Sequence, residues 1–274
     1  GWPAVSVERT TEMLTAPGSP FELENQIVNG VEMPVYKNAP ANLREHFVAG
    51  TEAFSDRDLL VFEDERLTFD SHMRAVQNLA RLMQEKFGLR RGDRVAISMR
   101  NYPQWPVAFW ACLVSGYIAT PLNSWWTGEE LEYGLSDSGA RLAIVDDQIL
   151  ERIKPHLGSL PALENVIVAR MESEPDSEKV HAMESLIGRV NDWHKLERVG
   201  LPALDLKPDD DATIMYSSGT TGRPKGILAT HRGIISNMMN SVANQTRSFF
   251  RKGEAPPEPD PTAPQKATLL SIPF

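Results

Sequence analysis

The fold of this chain is decided by the stretch Thr213-Ile214-Met215-Tyr216-Ser217-Ser218-Gly219-Thr220-Thr221-Gly222-Arg223-Pro224-Lys225-Gly226. Its first four residues are apolar or β-prone and predict a strand. The ten that follow contain four hydroxyl side chains, three glycines and one lysine. Glycines let backbone N–H groups converge closely on an anion, and hydroxyls add further donors. An ammonium beside a phosphate near a protein surface contributes about 1–4 kcal/mol. The composition therefore predicts a loop that holds a polyphosphate.

This loop differs from the P-loop of NTPases, in which Gly-Lys is followed by Ser or Thr and the chain runs directly into a helix. Here Pro224 precedes Lys225, and a glycine follows it. Because proline disfavours helical angles at the residue before it, Arg223 is expected to be extended. We therefore expect residues 227–229 to form a strand and a helix to begin only after an N-cap at Thr230. The alternative, a flexible Ser/Gly linker, explains neither the preceding strand nor the lone lysine.

Residues 216–226 resemble the signature of the adenylate-forming (AMP-binding) superfamily, whose members activate carboxylates with ATP. Within residues 116–146, the segments Pro-Leu-Asn, Thr-Gly-Glu-Glu-Leu, Asp-Ser-Gly-Ala and Ile-Val-Asp are similar in order and spacing to the family's second core region. Residues 67–69 and the helix after them resemble the first. The resemblance extends from about residue 43 to residue 274. It is greatest to long-chain-fatty-acid–CoA ligases (fatty acyl-CoA synthetases), to which the extended N-terminal segment and residues 105–110 are also similar.

The resemblance implies an acid–thiol ligase that joins a carboxylic acid, expected to be a fatty acid, to AMP with release of pyrophosphate. The acyl group would then pass to coenzyme A, so that ATP, Mg²⁺ and coenzyme A are the implied cofactors and co-substrates. The implied phosphate-binding residues are Ser217, Ser218, Thr220 and Thr221 as donors, with Gly219 and Gly222 shaping the loop. Lys225 is the implied electrostatic catalyst, and Ser217 is also the implied contact for Mg²⁺.

Two alternative functions stay open at this point: an adenylating enzyme that delivers an acyl or aryl group to a carrier-protein thiol, and a non-enzymatic nucleotide-binding module. Trp125 and Trp126 depart from the smaller or charged pair usual in the family, which leaves the subfamily and the choice between acyl, aryl and steroid acids open. Packing against the sheet is the simpler explanation of this pair. In the resembled family the adenine, ribose and C-terminal lysine sites come later in the chain. We therefore expect this sequence to be the N-terminal part of a longer enzyme and to be inactive alone.

Alternation of apolar strands with amphipathic helices predicts an α/β fold with mostly parallel sheets flanked by helices, an incomplete N-terminal domain of the adenylate-forming fold. We expect residues 1–40 to form an irregular N-terminal wrap, residues 41–205 a first α/β subdomain, and residues 206–274 the start of a second subdomain that carries the phosphate loop. The predicted elements are a hairpin at 58–69, helices at 69–87, 104–115, 127–135 and 231–250, and strands at 94–99, 117–120, 141–145 and 166–169.

Charge and cysteine content restrict the partners and the compartment. The net charge of −9 argues against nucleic acid as a partner. The single cysteine, Cys112, excludes an internal disulfide and favours a reducing, cytoplasmic environment. The uncharged run at 101–128 is interrupted by prolines and glycine, so it predicts a buried helix and strand rather than a transmembrane span. His231 is expected to be a helix-start residue rather than a catalytic one. Peripheral membrane contact through residues 249–252 and homodimerisation are left open.

Overall fold

The computed structural model describes residues 4–172, 175, 177–217, 222–257 and 263–270. In chain order its strands are β1 (Leu23–Val28), β2 (Val31–Tyr36), β3 (Asp58–Phe62), β4 (Glu65–Thr68), β5 (Arg94–Ser98), β6 (Ile118–Pro121), β7 (Leu142–Asp146), β8 (Asn165–Ala169), β9 (Val180–Ala182), β10 (Asp211–Ser217) and β11 (Lys225–Thr230). Its α-helices are α1 (Val7–Thr15), α2 (Leu43–Phe54), α3 (Phe69–Glu85), α4 (Gln104–Val114), α5 (Gly128–Ser138), α6 (Asp147–Ile153), α7 (Met183–Ile187) and α8 (His231–Lys252). Two 3₁₀ segments, Lys154–Ser159 and Val190–Lys195, complete the described secondary structure.

Seven of these strands form one sheet in the order β11-β10-β6-β5-β7-β8-β9, while β1–β2 and β3–β4 are separate hairpins. Every neighbouring pair from β10 to β9 is parallel, and only β10–β11 is antiparallel within this sheet. Parallel strands need crossover connections, and here α4, α5 and α6 provide them along the chain. The predicted fold class, a mostly parallel sheet flanked by helices, is confirmed.

Apolar side chains cover both faces of this sheet. Val95 and Ile97 of β5 belong to a fully buried cluster that includes the apolar faces of α3 and α4. Ala96, between them, points to the opposite face and belongs to a second cluster with residues of α5 and α6. Side chains along a strand alternate between faces, so burial of all three requires cover on both sides. The near-continuous apolar run in β5 is therefore explained by its central position.

The helix ends follow the capping residues in the sequence. At the start of α5, the Thr127 side chain accepts a hydrogen bond from the Glu130 amide at 3.3 Å, and the Glu130 carboxylate accepts one from the Thr127 amide at 2.8 Å. This reciprocal pair is a capping box, and it begins the helix predicted at 127–135. At the other end, Gly139 adopts φ +62° and terminates the helix. Both ends of α5 are therefore fixed by local hydrogen bonds.

Residues 4–40 are more regular than the irregular wrap predicted for residues 1–40. Helix α1 is N-capped by Ser6 and packs against α8. Strands β1 and β2 form a hairpin whose turn residues, Asn29 and Gly30, have φ values of +50° and +80°. Asn-Gly is the sequence signature of this tight turn, because both positions need the left-handed region.

Strands from both sides of residue 205, the predicted boundary between two subdomains, belong to one central sheet. Thr213 in β10 pairs in parallel with Ala119 in β6, so the later strands extend the earlier sheet. The division into residues 41–205 and 206–274 stays a prediction.

The uncharged run at 101–128 forms α4 and β6, in agreement with the predicted buried helix and strand. Ala108 and Cys112 on α4 are fully buried, and burial raises the pKa of the Cys112 thiol. In the part of the chain that the structure describes, no helix is both long enough and apolar enough to cross a membrane.

A buried histidine on α3 makes stability depend on pH. His72 is 1% exposed and lies edge-on to Phe47. Burial lowers the pKa of His72 to about 4. The nearby Pro106 carbonyl offsets part of this shift, although it forms no hydrogen bond of good geometry with the imidazole ring. Its ordinary pKa is 6.5. Between these two values the unfolded state therefore binds the proton more readily, so stability falls as the pH falls.

We expect the free energy of unfolding to drop by about 2 kcal/mol between pH 7 and pH 5 through His72 alone. His72→Leu should remove this share of the pH dependence, while His194→Gln, at an exposed histidine, should leave it in place. Urea denaturation of the three proteins at both pH values measures the difference. Identical pH dependence in the wild type and His72→Leu would show that His72 is protonated equally in both states.

Candidate functional site

The glycine-rich stretch connects the two antiparallel strands of a hairpin. Ser217 at the end of β10 is paired in register with Lys225 at the start of β11. Residues 225–230 are extended, and the α8 helix begins only after Thr230, whose side chain accepts a hydrogen bond from the Gly233 amide at 3.1 Å. The predicted arrangement of strand, loop, strand and then helix is confirmed. The loop therefore does not continue directly into a helix, as it does in the NTPase P-loop.

The structure places three of the seven predicted phosphate-site residues. Ser217 and Lys225 lie opposite each other at the base of the loop, where the Ser217 hydroxyl is 3.5 Å from the Lys225 carbonyl oxygen. Gly222 has φ +126°, a conformation that favours glycine. The remaining four, Ser218, Gly219, Thr220 and Thr221, lie outside the described residues.

The Lys225 side chain is exposed. Within the described ranges, no carboxylate lies within 4.0 Å of its ammonium. Such a cation is open to an anion that approaches from solvent, and it lies at the end of the glycine-rich stretch. The geometry is compatible with the proposed electrostatic role of Lys225, which stays a proposal.

Close packing explains the glycine that follows Lys225. A Cβ atom at Gly226 would lie 2.9 Å from the Ile214 Cγ2 atom and 3.5 Å from the Tyr216 ring. Contacts below 3.0 Å cost strain in a packed structure. Glycine at position 226 thus lets β11 approach β10 directly below the loop.

The strand that enters the loop is tied to α5 through Tyr216. The Tyr216 hydroxyl donates a hydrogen bond to the Asp137 carboxylate at 2.7 Å. Its ring packs edge-on against Trp126 and Tyr133, with ring centroids 5.8 and 6.4 Å away. Burial raises the pKa of Tyr216, and the hydrogen bond to Asp137 raises it further. The hydroxyl therefore stays protonated and remains a donor across the pH range of enzyme assays.

The segment that leaves the loop is tied to the same helix through Tyr133. The Tyr133 hydroxyl donates to the Pro224 carbonyl oxygen at 3.0 Å. The guanidinium carbon of Arg223 lies 5.2 Å from the centroid of the Tyr133 ring, within the range of a cation–π contact. Sequence reasoning missed Tyr133 and Asp137. Their spacing of four residues on a capped helix showed that they share a face, but not which element they contact.

The two tryptophans of the pair at 125–126 have different environments. Trp126 packs beside Tyr216, in agreement with packing as the simpler explanation. Trp125 is 60% exposed, and the guanidinium of Arg100 lies 4.0 Å from its ring centroid. The structure thus assigns only Trp126 to the support of the loop.

His231 is the first residue of α8, in agreement with the predicted helix start. It is fully buried at the start of α8, and its Nδ1 atom accepts a hydrogen bond from the Leu43 amide at 3.2 Å. Burial lowers its pKa, which favours the neutral form that this contact needs. The ring therefore joins α8 to the N-terminus of α2.

Among the residues that the structure covers, no group of three or more His, Cys, Asp or Glu side chains could hold a metal ion. The predicted Mg²⁺ contact, Ser217, supplies a single neutral oxygen. Mg²⁺ prefers carboxylate and phosphate oxygens in octahedral geometry. Ser217 therefore does not make a magnesium site by itself, and its contact with the ion stays a prediction.

Comparison with known proteins identifies relatives for most of the chain. A family model described as "AMP-binding enzyme" matches residues 47–259. The chain is 29% identical over 213 residues to a long-chain-fatty-acid–CoA ligase of Escherichia coli O157:H7, covering 72% of this chain and 38% of that protein. It is 30% identical over 169 residues to 4-coumarate–CoA ligase 3 of Arabidopsis thaliana, covering 61% of this chain and 28% of that protein. The chain thus spans well under half the length of these relatives.

A solved structure agrees with the fold. The anthranilate CoA ligase AuaEII, crystallised with anthranoyl-AMP, superimposes with a TM-score of 0.61 at 27% identity, over 70% of this chain and 36% of that chain. The chain thus shares its fold with part of that structure.

Proposed function

This chain belongs to the family of AMP-binding enzymes, and on that premise we propose that the protein carrying it activates a carboxylic acid with ATP and transfers the acyl group to coenzyme A. The observation that carries the proposal is the loop between Ser217 and Lys225, which the β10–β11 hairpin and α5 hold at the edge of the sheet. The exposed Lys225 ammonium at its base is available to the phosphates of a nucleotide.

The proposed reaction has two steps. A carboxylate oxygen attacks the α-phosphorus of ATP, the bond to the β-phosphate oxygen breaks, and pyrophosphate leaves with the electron pair. The sulfur of a thiol then attacks the acyl carbonyl carbon, and AMP leaves as the second product. Charge accumulates on pyrophosphate in the first step, and preorganised donors near that charge lower the barrier. Lys225 and the hydroxyls of Ser217, Ser218, Thr220 and Thr221 are proposed to serve there, with Gly219 and Gly222 shaping the loop.

The proposed substrate is a fatty acid, supported by the names of relatives such as the Escherichia coli ligase. An aromatic acid is the second candidate, because a 4-coumarate–CoA ligase and an anthranilate CoA ligase are also similar to this chain. Delivery to a carrier-protein thiol instead of coenzyme A remains the alternative for the second step. Mg²⁺ is proposed to enter with the ATP phosphates. We propose that residues 1–274 alone do not turn over, since the similar enzymes are much longer.

The full-length protein should form a thioester with coenzyme A from palmitate, ATP and Mg²⁺. We suggest a panel of palmitate, octanoate, 4-coumarate and anthranilate, each with coenzyme A or a phosphopantetheinylated carrier protein as acceptor, analysed by liquid chromatography and mass spectrometry. Faster turnover of 4-coumarate or anthranilate would identify an aromatic acid, and not a fatty acid, as the substrate. If only the carrier protein were acylated, it and not coenzyme A would be the acceptor. No thioester from any pair would contradict the proposed function.

The cytoplasm is the proposed location, on the basis of a single cysteine, which is free and buried. Homodimerisation and peripheral membrane contact through residues 249–252 also stay proposals. In the structure those residues form the last turn of α8, which ends at Gly253 with φ +76°. A basic helix end matches the helix dipole without any membrane.

A further inference from the structure

Helix α5 contacts the loop hairpin on both sides of the glycine-rich stretch. At the entry, Tyr216 is joined to Asp137 by a hydrogen bond of 2.7 Å. At the exit, Tyr133 donates to the Pro224 carbonyl at 3.0 Å and lies beneath the Arg223 guanidinium. Tyr133 and Asp137 are one helical turn apart, so they form one face of α5. A single helix therefore contacts the chain on both sides of the loop.

The helix itself is well anchored. Its apolar face buries Leu131 and Leu135 to 1% and 3% exposure. At its C-terminal end, the Arg94 guanidinium donates to the carbonyl oxygens of Ser138 at 2.9 Å and Gly139 at 3.1 Å. Charged donors to the last carbonyls of a helix stabilise its end. The position of α5, and with it the face that contacts the loop, is therefore fixed by its apolar packing and by hydrogen bonds at its two ends.

Among the residues that the structure describes, β11 is the outermost strand of the sheet and pairs with β10 alone. Residues 225–228 of this strand are exposed, so the contacts from α5 add support to the hairpin. An edge strand with one partner opens more easily than a central one. The contact from Tyr133 to Pro224 lies one peptide away from Lys225. It thus restrains the backbone from which the Lys225 ammonium extends.

We propose that Tyr133 is a positioning residue for the phosphate loop: its hydroxyl and its ring hold the segment that leads into Lys225, while Asp137 holds the segment that leads into Ser217. This inference rests on the proposed function, because it concerns the same loop. Tyr133 acts through Pro224, Arg223 and Lys225, and not by contact with the reacting atoms. Loss of the restraint leaves folding intact and lets the segment that leads into Lys225 sample more conformations before ATP binds.

Kinetic analysis of two Tyr133 variants tests this role. Tyr133→Phe removes the hydrogen bond to Pro224 and keeps the ring beneath Arg223, whereas Tyr133→Leu removes both. The KM for ATP should rise about 3- to 10-fold in Tyr133→Phe and further in Tyr133→Leu, while the KM for the carboxylate stays within 2-fold. Tyr36→Phe is the matched control, because Tyr36 donates to Asn240 at 2.6 Å between β2 and α8, away from the loop. It should behave as the wild type does.

Two outcomes would overturn the inference. One is a KM for ATP in Tyr133→Leu equal to that of Tyr36→Phe. The other is an equal rise in both KM values together with loss of thermal stability, which would indicate a merely structural role.

Hydrogen exchange separates this inference from the proposed function. In the ligand-free protein, peptides covering residues 211–217 and 225–230 should exchange faster in Tyr133→Leu than in the wild type. This readout does not depend on any activity. A wild-type protein without adenylation would contradict the proposed function, and unchanged exchange in the variant would contradict the positioning role of Tyr133.

Discussion

Replacing Lys225 with alanine should slow carboxylate-dependent pyrophosphate release about 5- to 150-fold, which corresponds to about 1–3 kcal/mol of barrier. The ammonium is exposed and has no carboxylate partner within the described residues, so its charge is available to the leaving pyrophosphate. The same exposure means that the alanine variant loses no buried contact. The free energy of unfolding should therefore change by less than about 0.5 kcal/mol. A coupled assay of pyrophosphate release at saturating ATP measures the rate.

A second lysine variant controls for the loss of one positive charge. Lys252 is exposed in the last turn of α8, and Lys252→Ala should retain the wild-type rate. Equal rates in Lys225→Ala and the wild type would show that Lys225 has no role in catalysis. Loss of folded protein in Lys225→Ala would show instead that the loop lysine supports the fold.

Replacing Trp193 with alanine should lower the free energy of unfolding by about 3–5 kcal/mol. Trp193 is fully buried in the 3₁₀ segment that packs against α3, and its indole Nε1 donates to the Gly188 carbonyl at 3.1 Å. Truncation therefore leaves a large cavity and an unpaired carbonyl. Guanidinium denaturation followed by circular dichroism measures the change.

Trp125 provides the control for this prediction, because it is 60% exposed. Trp125→Ala removes a surface ring and its contact with Arg100, so we expect a loss of about 1 kcal/mol or less. Similar losses in the two variants would mean that Trp193 is not in a packed core.

The elements around the loop could be predicted because their signals are local. Pro224 before the lysine disfavours a helix there, and Thr127 and Glu130 have the spacing of a capping box. Apolar residues along α3 recur at helical spacing, which is typical of a helix with one buried face. Each of these patterns involves residues only a few positions apart, so it can be recognised from the sequence alone.

The support of the loop could not be predicted, since it depends on contacts between distant parts of the chain. Tyr133 and Pro224 are 91 residues apart, and Tyr216 and Asp137 are 79 apart. No spacing rule identifies such residues as neighbours until the order of the strands in the sheet is known. The Asn29-Gly30 turn is a different case, because its signal is local and was overlooked.

The most direct test of the account is carboxylate-dependent exchange of labelled pyrophosphate into ATP, which reports the first step without any thiol acceptor. The full-length wild-type protein should incorporate label only when an acid such as palmitate is present. Lys225→Ala should reduce the exchange, and Tyr36→Phe should not. Absence of exchange with every acid of the panel, or exchange that Lys225→Ala leaves unchanged, would contradict the proposal that the loop at residues 217–225 promotes adenylate formation.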